Sequence, residues 1–539
     1  MRLPSGRKLS SGVIAALVVA SVTACTLVVT HGQTQCTVDA DCVARGFPAT
    51  ARCTVDNVCV GPGAGGCTKN ADCPDVAGGP QICRKSDAVC VPVLSAECPK
   101  VLAKGTAALK NDDAIIIGSI FSLKGVNQAS GVARTNSIEL AATDFEETVV
   151  GLPGGTGGKP RPLVFVACDD SSDNTVATKA AQHLLNDLKA SAVIGPGGSG
   201  IVTAVAQNAT IPGGMFLITP SATSTSLSGF DPLVWRTAPS DLLQAEAIKD
   251  QINAMETKFK ADNPTVTKIK LTVVYQNNTY GQGLLAAMTN GLNLNGFPVA
   301  DASNTGLFKP ISYDATTLDP SAAAGTVITD KPHLMVLVGT AEVITKFLTP
   351  VEAGWPGATP RPLYLLTDAA RKVDATDAVK GNDPLRLRIR GTVPGTTNAL
   401  FNGFKLRYSG KFGGDTSVFG MAGAYDSVYL LAYALTSLGT APITGKAISD
   451  AMKKMVGGTK TDLTPDSIKN AFQVLGTGNA LDVNGASGPL DFDLAQHEAQ
   501  SDIVVFCISK DVNGAPYFSE TGRFYDSSAK KMAGTFACP

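Results

Sequence analysis

The chain reads as an α/β protein with two Rossmann-like lobes, each a parallel sheet covered by helices, closing on a hinged cleft behind a small disulfide-rich region. Three observations predict this. Short apolar runs alternate with helical patterns from Ala114 onward, the signature of βαβ units. The alternation pauses near Trp235-Arg236-Thr237-Ala238-Pro239 and restarts, so there are two series. Late segments then have the character to return to each series. A chain of 539 residues also exceeds the roughly 250–300 residues that one core serves.

In the first series, strands are expected at 114–120, 163–167, 192–195 and 215–218. Between them Ile138, Ala141, Ala142 and Phe145 share one helical face, and Val176, Ala180, Leu184 and Leu188 share another. The second series places strands at 269–275, 333–338 and 363–366, with helices after Tyr280 and after Ala341. Arg386-Leu387-Arg388-Ile389-Arg390 alternates like a strand with one solvated face. Helices dominate 399–475, and strand character resumes from Gly488, notably at 503–508. Lobe one is therefore expected at 112–236 and 395–487, and lobe two at 240–390 and 488–539.

The first residues set the compartment. Arg2, Arg7 and Lys8 precede an apolar run from Val13 to Ala20, closed by Val22-Thr23-Ala24-Cys25, the layout of an export signal over 1–24. Val-Thr-Ala-Cys resembles a bacterial lipobox, which would lipidate Cys25 and leave 25–35 as an anchored linker. Cleavage by ordinary signal peptidase, or an uncleaved anchor over 12–29, are the other readings. Parity favours the lipobox: 13 cysteines less Cys25 leave an even set for disulfides.

Residues 36–92 hold two disulfide-rich repeats. Cys36, Cys42, Cys53 and Cys59 recur as Cys67, Cys73, Cys83 and Cys90 at offsets of 31, 31, 30 and 31 residues. Each unit has too few apolar residues for a core, so cross-links must hold it. Four cysteines allow three pairings, which spacing does not resolve. Zinc would need close thiolate pairs and a reducing compartment, and neither condition is met. A spacer or stalk is the expected role. Cys98, Cys168, Cys507 and Cys538 leave two further bridges of open pairing.

Composition excludes several functions. With 45 basic and 46 acidic residues, nothing suggests a nucleic-acid surface. The four histidines are scattered, without metal-ligand spacing, so no metal and no cofactor are expected. Gly195-x-Gly197-x-x-Gly200 formally fits a dinucleotide fingerprint, but it follows the third strand and no ribose-binding acid stands about 20 residues on. No Lys follows these glycines, which excludes a P-loop, and Gly197-Gly198-Ser199-Gly200-Ile201 lacks the last Gly of a nucleophile elbow. An enzyme is not expected.

What the chain does offer is a small-molecule grip. Val193-Ile194-Gly195-Pro196-Gly197-Gly198-Ser199 and Leu217-Ile218-Thr219-Pro220-Ser221-Ala222-Thr223-Ser224 each run from an apolar strand into a turn of small residues. Such turns place backbone N–H groups and hydroxyls at the carboxyl ends of adjacent strands, where they hold an anion without Lys or Arg. These turns, with Ile117–Gly125, Cys168-Asp169-Asp170 and Thr279-Tyr280-Gly281-Gln282-Gly283 in order, resemble the substrate-binding proteins of branched-chain amino-acid ABC transporters. The resemblance spans roughly 112–495 and implies the type I periplasmic binding fold.

That resemblance implies a site. The ligand α-carboxylate would meet Ser199 and Thr223, with Ser221 and Ala222 supplying backbone groups. Its ammonium would meet Asp368, one methylene shorter than the family's usual Glu, with the ring of Tyr280 covering the ammonium or walling the pocket. Ser130 stands where the family often has an aromatic, and Thr340 where it has a further Tyr, so the side-chain pocket is wider and more polar. The family sometimes links the site of Cys168 to the turn after the third strand, where Gly198 stands here, so Cys168 needs another partner or stays free. Three functions follow: an exported, membrane-anchored lipoprotein that delivers an amino-acid-like solute to an ABC permease, a ligand sensor of the same fold, or a non-binding surface protein.

Overall fold

The computed structural model describes residues 36–47, 52–53, 59–60, 66–395 and 398–538. The expected signal peptide over 1–24, the lipidation site Cys25 and the linker to 35 lie outside the described residues. The chain divides into two compact units, with the break between 64 and 65.

The first unit is the first repeat. A helix Asp39–Ala44 precedes Arg52–Cys53, which pairs antiparallel with Cys59–Val60. Disulfides Cys36–Cys53 and Cys42–Cys59 close it. The sequence pattern Cys-Thr-x-x-x-Asp explains its entry turn, because Asp41 Oδ2 accepts from the Thr37 N–H at 2.7 Å and from Val38 N–H at 3.1 Å. Asp72 repeats this with Thr68 at 2.8 Å and Lys69 at 3.0 Å.

The second unit opens with the second repeat, bridged the same way by Cys67–Cys83 and Cys73–Cys90. It is no free spacer. Ile82, Val91 and Val93 pack in one apolar cluster with Val166 and Leu184 of lobe one. Arg84 donates to Asp187 at 2.9 Å, and His183 Nε2 lies 3.0 Å from the Val93 carbonyl. Cys98–Cys168 then ties the loop that leaves the repeat to the second lobe-one strand, which supplies the partner Cys168 needed.

Lobe one follows the expected alternation: β1 (Ile115–Phe121), α1 (Gln128–Thr148), β2 (Leu163–Asp169), α2 (Asn174–Asn186), β3 (Ala192–Ile194), α3 (Ser199–Val205), β4 (Phe216–Thr219) and β5 (Val234–Arg236). Lobe two has α4 (Asp241–Asp262), β6 (Leu271–Gln276), α5 (Thr279–Thr289), β7 (Phe308–Tyr313), α6 (Pro320–Asp330), β8 (Leu334–Val338), β9 (Leu363–Leu366) and β10 (Ile389–Pro394). The chain returns to lobe one through α7 (Ala399–Phe412), α8 (Met421–Ser437), α9 (Gly445–Met452), α10 (Ile468–Gly476), β11 (Asp491–Asp493) and β12 (Glu498–Gln500). It ends in lobe two with β13 (Ile503–Lys510), β14 (Pro516–Asp526) and β15 (Lys531–Ala533).

The lobe-one sheet runs β11-β12-β5-β4-β3-β1-β2, with Lys100–Val101 added antiparallel at the β2 edge. The lobe-two sheet runs β7-β6-β8-β9-β10-β13-β14-β15. Both are parallel through their middles, so turns at the carboxyl ends of adjacent strands gather at one edge, the place where open α/β sheets bind ligands. The core of lobe one is α8, buried along almost its whole length. Its Tyr425 and Tyr429 donate to Asp144 of α1 at 2.7 and 2.8 Å, and Arg407 of α7 pairs with the same carboxylate. No helix among the described residues is long and apolar enough to cross a membrane.

Two expectations shift. The crossing back to lobe two lies at Ser501 and Asp502, not at 488, because β12 pairs parallel with β5 of lobe one. The arginine cluster is not one strand. Asp383–Arg386 forms a helical turn capped by Asn382, whose side chain accepts from Leu385 N–H at 3.1 Å, and only Ile389 and Arg390 enter β10.

Breaking Cys98–Cys168 frees a separation of 70 residues. Loop-closure entropy puts the loss for a Cys98→Ala/Cys168→Ala variant at about 4 kcal/mol. Urea unfolding without reductant measures it, and an unchanged midpoint would show that packing alone seats the second repeat.

Candidate functional site

The two lobe-one turns are stitched together before any ligand is considered. Thr219 Oγ1 donates to the Pro196 carbonyl at 2.6 Å, and Ser221 Oγ donates to the Gly197 carbonyl at 3.0 Å. Ser199 begins α3, yet its hydroxyl accepts from Ser224 N–H at 3.2 Å, so it braces the neighbouring turn instead of capping its own helix. Ala222 N–H is spent within the turn on Thr219 Oγ1 at 3.3 Å, which removes it as the expected backbone donor.

The second turn is clamped from behind by Arg236, the last residue of β5 and 2% exposed. Its Nη1 donates to the carbonyls of Ala222 at 3.3 Å and Ser224 at 2.8 Å. Its Nη2 donates to Ser228 Oγ at 2.7 Å, and the guanidinium pairs with Glu498 of β12. A buried guanidinium keeps its charge only when carboxylate and carbonyl oxygens take up its donors.

Thr223, held by this clamp, is buried, and its Oγ1 has no partner among the described residues. Its carbonyl accepts from the N–H of Asp241, the first residue of α4, at 2.8 Å. Asp241 is fully buried with neither carboxylate oxygen partnered. Burial first, and the charge of Asp368 second, raise its carboxyl well above the ordinary range, against a weaker lowering interaction with the Thr223 hydroxyl, whose geometry falls short of a hydrogen bond.

Asp368 enters from lobe two, in the turn after β9. Tyr280, at the start of α5, donates its phenolic proton to Asp368 Oδ1 at 2.6 Å and stands 2.9 Å from Thr367 Oγ1. Burial raises the Asp368 carboxyl also, against the bond from Tyr280. The Tyr280 hydroxyl is held protonated by burial and then by the two acids. Gln244, one turn into α4, donates to Thr392 and leaves its Oε1 unpartnered. Thr223, Asp241, Tyr280 and Asp368 thus form one buried group drawn from both sides of the cleft. Two carboxyls in it lack any cationic side chain within ion-pairing distance among the described residues.

Cations stand at the edge of this group. Arg134 of α1 donates through Nε and Nη2 to the Phe419 carbonyl at 3.0 and 2.8 Å. A side chain at Gly197 would begin 2.8 Å from its Nη1 and would push the guanidinium from its present place over that turn. Burial lowers its pKa to about 10, so it stays charged at neutral pH. Lys372 reaches across from lobe two and donates to Asn127 Oδ1 of lobe one at 3.1 Å. Burial, then Arg134, lower its pKa to about 8. Ser224 Oγ donates to the Thr279 carbonyl at 3.0 Å, a second bond between the lobes.

The remaining expected residues lie apart from this group. Ser130 is buried in α1, one turn before Arg134. Thr340 gives its hydroxyl to Glu342, which also accepts from Tyr313 at 2.7 Å. Arg134, Asp241, Gln244 and Lys372 were not foreseen. Asp241 follows Ser240 at a helix start, a pattern that any ordinary first-turn acid shares. Arg134 and Lys372 are single charges whose burial only the packed lobes reveal.

A family model described as periplasmic binding protein matches residues 114–512. The chain is 23% identical over 390 residues to the chemotactic signal transduction system substrate-binding protein BasB of Halobacterium salinarum, covering 71% of this chain and 84% of that one. Among solved structures it resembles the branched-chain amino acid transporter substrate binding protein LivJ of Streptococcus pneumoniae, bound to isoleucine. That match has 19% identity and TM-score 0.55, and covers 76% of this chain and 99% of that one. It also resembles a solute binding protein of an ABC transporter from Rhodopseudomonas palustris bound to 3,4-dihydroxybenzoic acid. There the identity is 16% and the TM-score 0.57, over 79% of this chain and 99% of that one. At these identities the structures speak for the fold: a type I periplasmic binding fold of two α/β lobes.

Two outcomes are expected from these contacts. An acid whose folded pKa is raised adds stability below its unfolded value, near 4, and loses it as pH rises through the folded value. Asp241→Asn removes that loss. Without ligand it should match the wild type near about pH 4 and melt progressively higher than it towards about pH 8; parallel melting curves across that range would contradict the raised carboxyl. Arg236→Met strands Glu498 and should destabilise by about 3–5 kcal/mol in denaturant titration.

Proposed function

Because the chain belongs to the periplasmic binding protein family, we propose that it captures an amino acid or a similar small carboxylate between its lobes, outside the cytoplasm. The observation that carries this reading is the buried group of Thr223, Asp241, Tyr280 and Asp368. The unpartnered hydroxyl of Thr223 and the unpartnered carboxylate of Asp241 come from the two sides of the cleft, and buried polar atoms without partners are unfavourable by about 1–3 kcal/mol each. A zwitterion answers both needs at once. Its carboxylate takes donors from Ser199, Ser221, Thr223 and the neighbouring Arg134, while its ammonium takes Asp368 and Asp241 beside the Tyr280 ring. Ser130 and Thr340 bound the side-chain end.

Because the donors and acids sit on different sides of the hinge, ligand contacts differ between open and closed states and so favour closure. The bonds Lys372–Asn127 and Ser224–Thr279 then add to the closed form. This is a binding role without a chemical step. We place the protein on the export side of the membrane, anchored by lipid at Cys25, where its disulfides persist. In that position it delivers solute to an ABC permease. Isoleucine and dihydroxybenzoate in the two neighbouring structures are both small carboxylates. A second reading, ligand sensing, is favoured by the chemotactic role in the name of the Halobacterium relative. The non-binding surface role competes with both and falls if any solute binds through the cleft.

Thermal unfolding of the oxidised protein against amino acids, short peptides and aromatic carboxylates tests the reading. A ligand at 100 times its dissociation constant adds about 2.7 kcal/mol. Ser199→Ala with Thr223→Ala should abolish the shift and leave the fold unchanged. Undiminished affinity in that double variant would remove these turns from the site.

A further inference from the structure

A separate cavity of about 550 Å³ lies on the hinge side of Pro220 and Gly420. None of Ser199, Thr223, Tyr280 or Asp368 lines it. Its walls include residues from each of the three crossings: Thr237 to Pro239 on the first, Pro394 and Gly395 on the second, and Ser501 on the third. Its volume falls in the range of small-molecule sites.

The lining combines apolar walls and hydroxyl-bearing residues with two cationic side chains and one carboxylate, Glu520. Phe401, Phe419, Pro394, Val504 and Phe518 supply much of the wall. Arg371 of lobe two lines it too. Its guanidinium carbon lies 5.5 Å from the Phe506 ring and 5.2 Å from the Phe518 ring, and Nη1 donates to the Ser417 carbonyl at 3.1 Å. No carboxylate among the described residues pairs with it; Glu520 and Asp415 act on it only at a distance. Lys405 is the second cation on the lining, with Nζ 4.8 Å from the Phe401 ring. Two buried polar atoms of lining residues, Arg371 Nε and Thr237 Oγ1, have no partner among the described residues.

We propose that this hinge cavity is a second binding site, for a small organic acid with an apolar body. The carboxylate pairs with Arg371, supported by Lys405, and the body packs on the phenylalanine and proline walls. Charged hydrogen bonds in such a low-dielectric wall are stronger than on a surface. Because both lobes and every crossing contribute, an occupant holds one lobe angle and thereby alters solute affinity in the main cleft. The assignment does not depend on Ser199 or Thr223 holding a ligand.

Benzoate and its uncharged counterpart benzamide, titrated calorimetrically into the oxidised full chain, test it. Benzoate should bind about tenfold or more tightly than benzamide, the margin of one charged hydrogen bond. Arg371→Met keeps the packing on the two rings and should weaken benzoate about tenfold. Val418→Trp fills the cavity and should block it, with circular dichroism reporting the fold. The Ser199→Ala/Thr223→Ala variant should bind benzoate as the wild type does. No benzoate binding, equal binding of benzamide, or indifference to Arg371→Met would overturn the proposal. Loss in the double variant would also overturn it, by putting benzoate in the main cleft. If the double variant leaves amino-acid binding intact, the main-site reading fails while this one stands.

Discussion

The pairing of Arg236 with Glu498 is the constraint on which the site rests. Arg236 ends β5, and Glu498 arrives on β12 after the chain has built most of lobe two and returned. Between them they fix the 222–228 loop, since the guanidinium takes the carbonyls of Ala222 and Ser224 and both partners take Ser228. A charge pair buried this deeply contributes little net stability, because desolvation offsets attraction. Its contribution is geometric. It aims Thr223 at the cleft and joins the last lobe-one strands to the first crossing.

Around that clamp the cleft separates its charges. Asp241 and Asp368 sit together without cations, while Arg134 and Lys372 sit against one another and against carbonyl and amide oxygens. Neither arrangement is stable in isolation, and burial moves each group toward neutrality, the acids upward and the cations downward. A ligand with charges of both signs, as proposed above, would suit a site held this way. Closure and binding are then two descriptions of one equilibrium.

Much of the fold was legible because parallel sheets buried on both faces leave apolar runs, and βαβ units alternate them with amphipathic helices. Expected strands at 114–120, 192–195 and 333–338 differ from the observed ones only at their ends, and 363–366 coincides with its strand. Of the misread stretches, one was decided by partners far along the chain and the other by a local helix cap. Strands 491–500 follow lobe one because β5 leaves an edge for them, and the arginine cluster breaks because Asn382 and Pro384 start a helical turn within its apparent period. Among the expected site residues, Ser199 and Thr223 were marked by turn chemistry and Tyr280 and Asp368 by the family resemblance, and the structure brings Thr223, Tyr280 and Asp368 into one buried group. Asp241 and Arg134 could not be marked in either way, since a first-turn acid and a lone helical arginine have the same pattern whether solvated or buried.

The sequence by itself determined the two-series α/β layout, the small-residue turns at strand ends and the repeated cysteine units, because each is written in local spacing and backbone preference. Tertiary structure decided which cysteines pair, that the second repeat packs on lobe one, and which polar groups meet in the cleft. These depend on distances between segments tens to hundreds of residues apart, and local periodicity carries no information about them. The hinge cavity is the extreme case, since its walls come from both lobes and all three crossings.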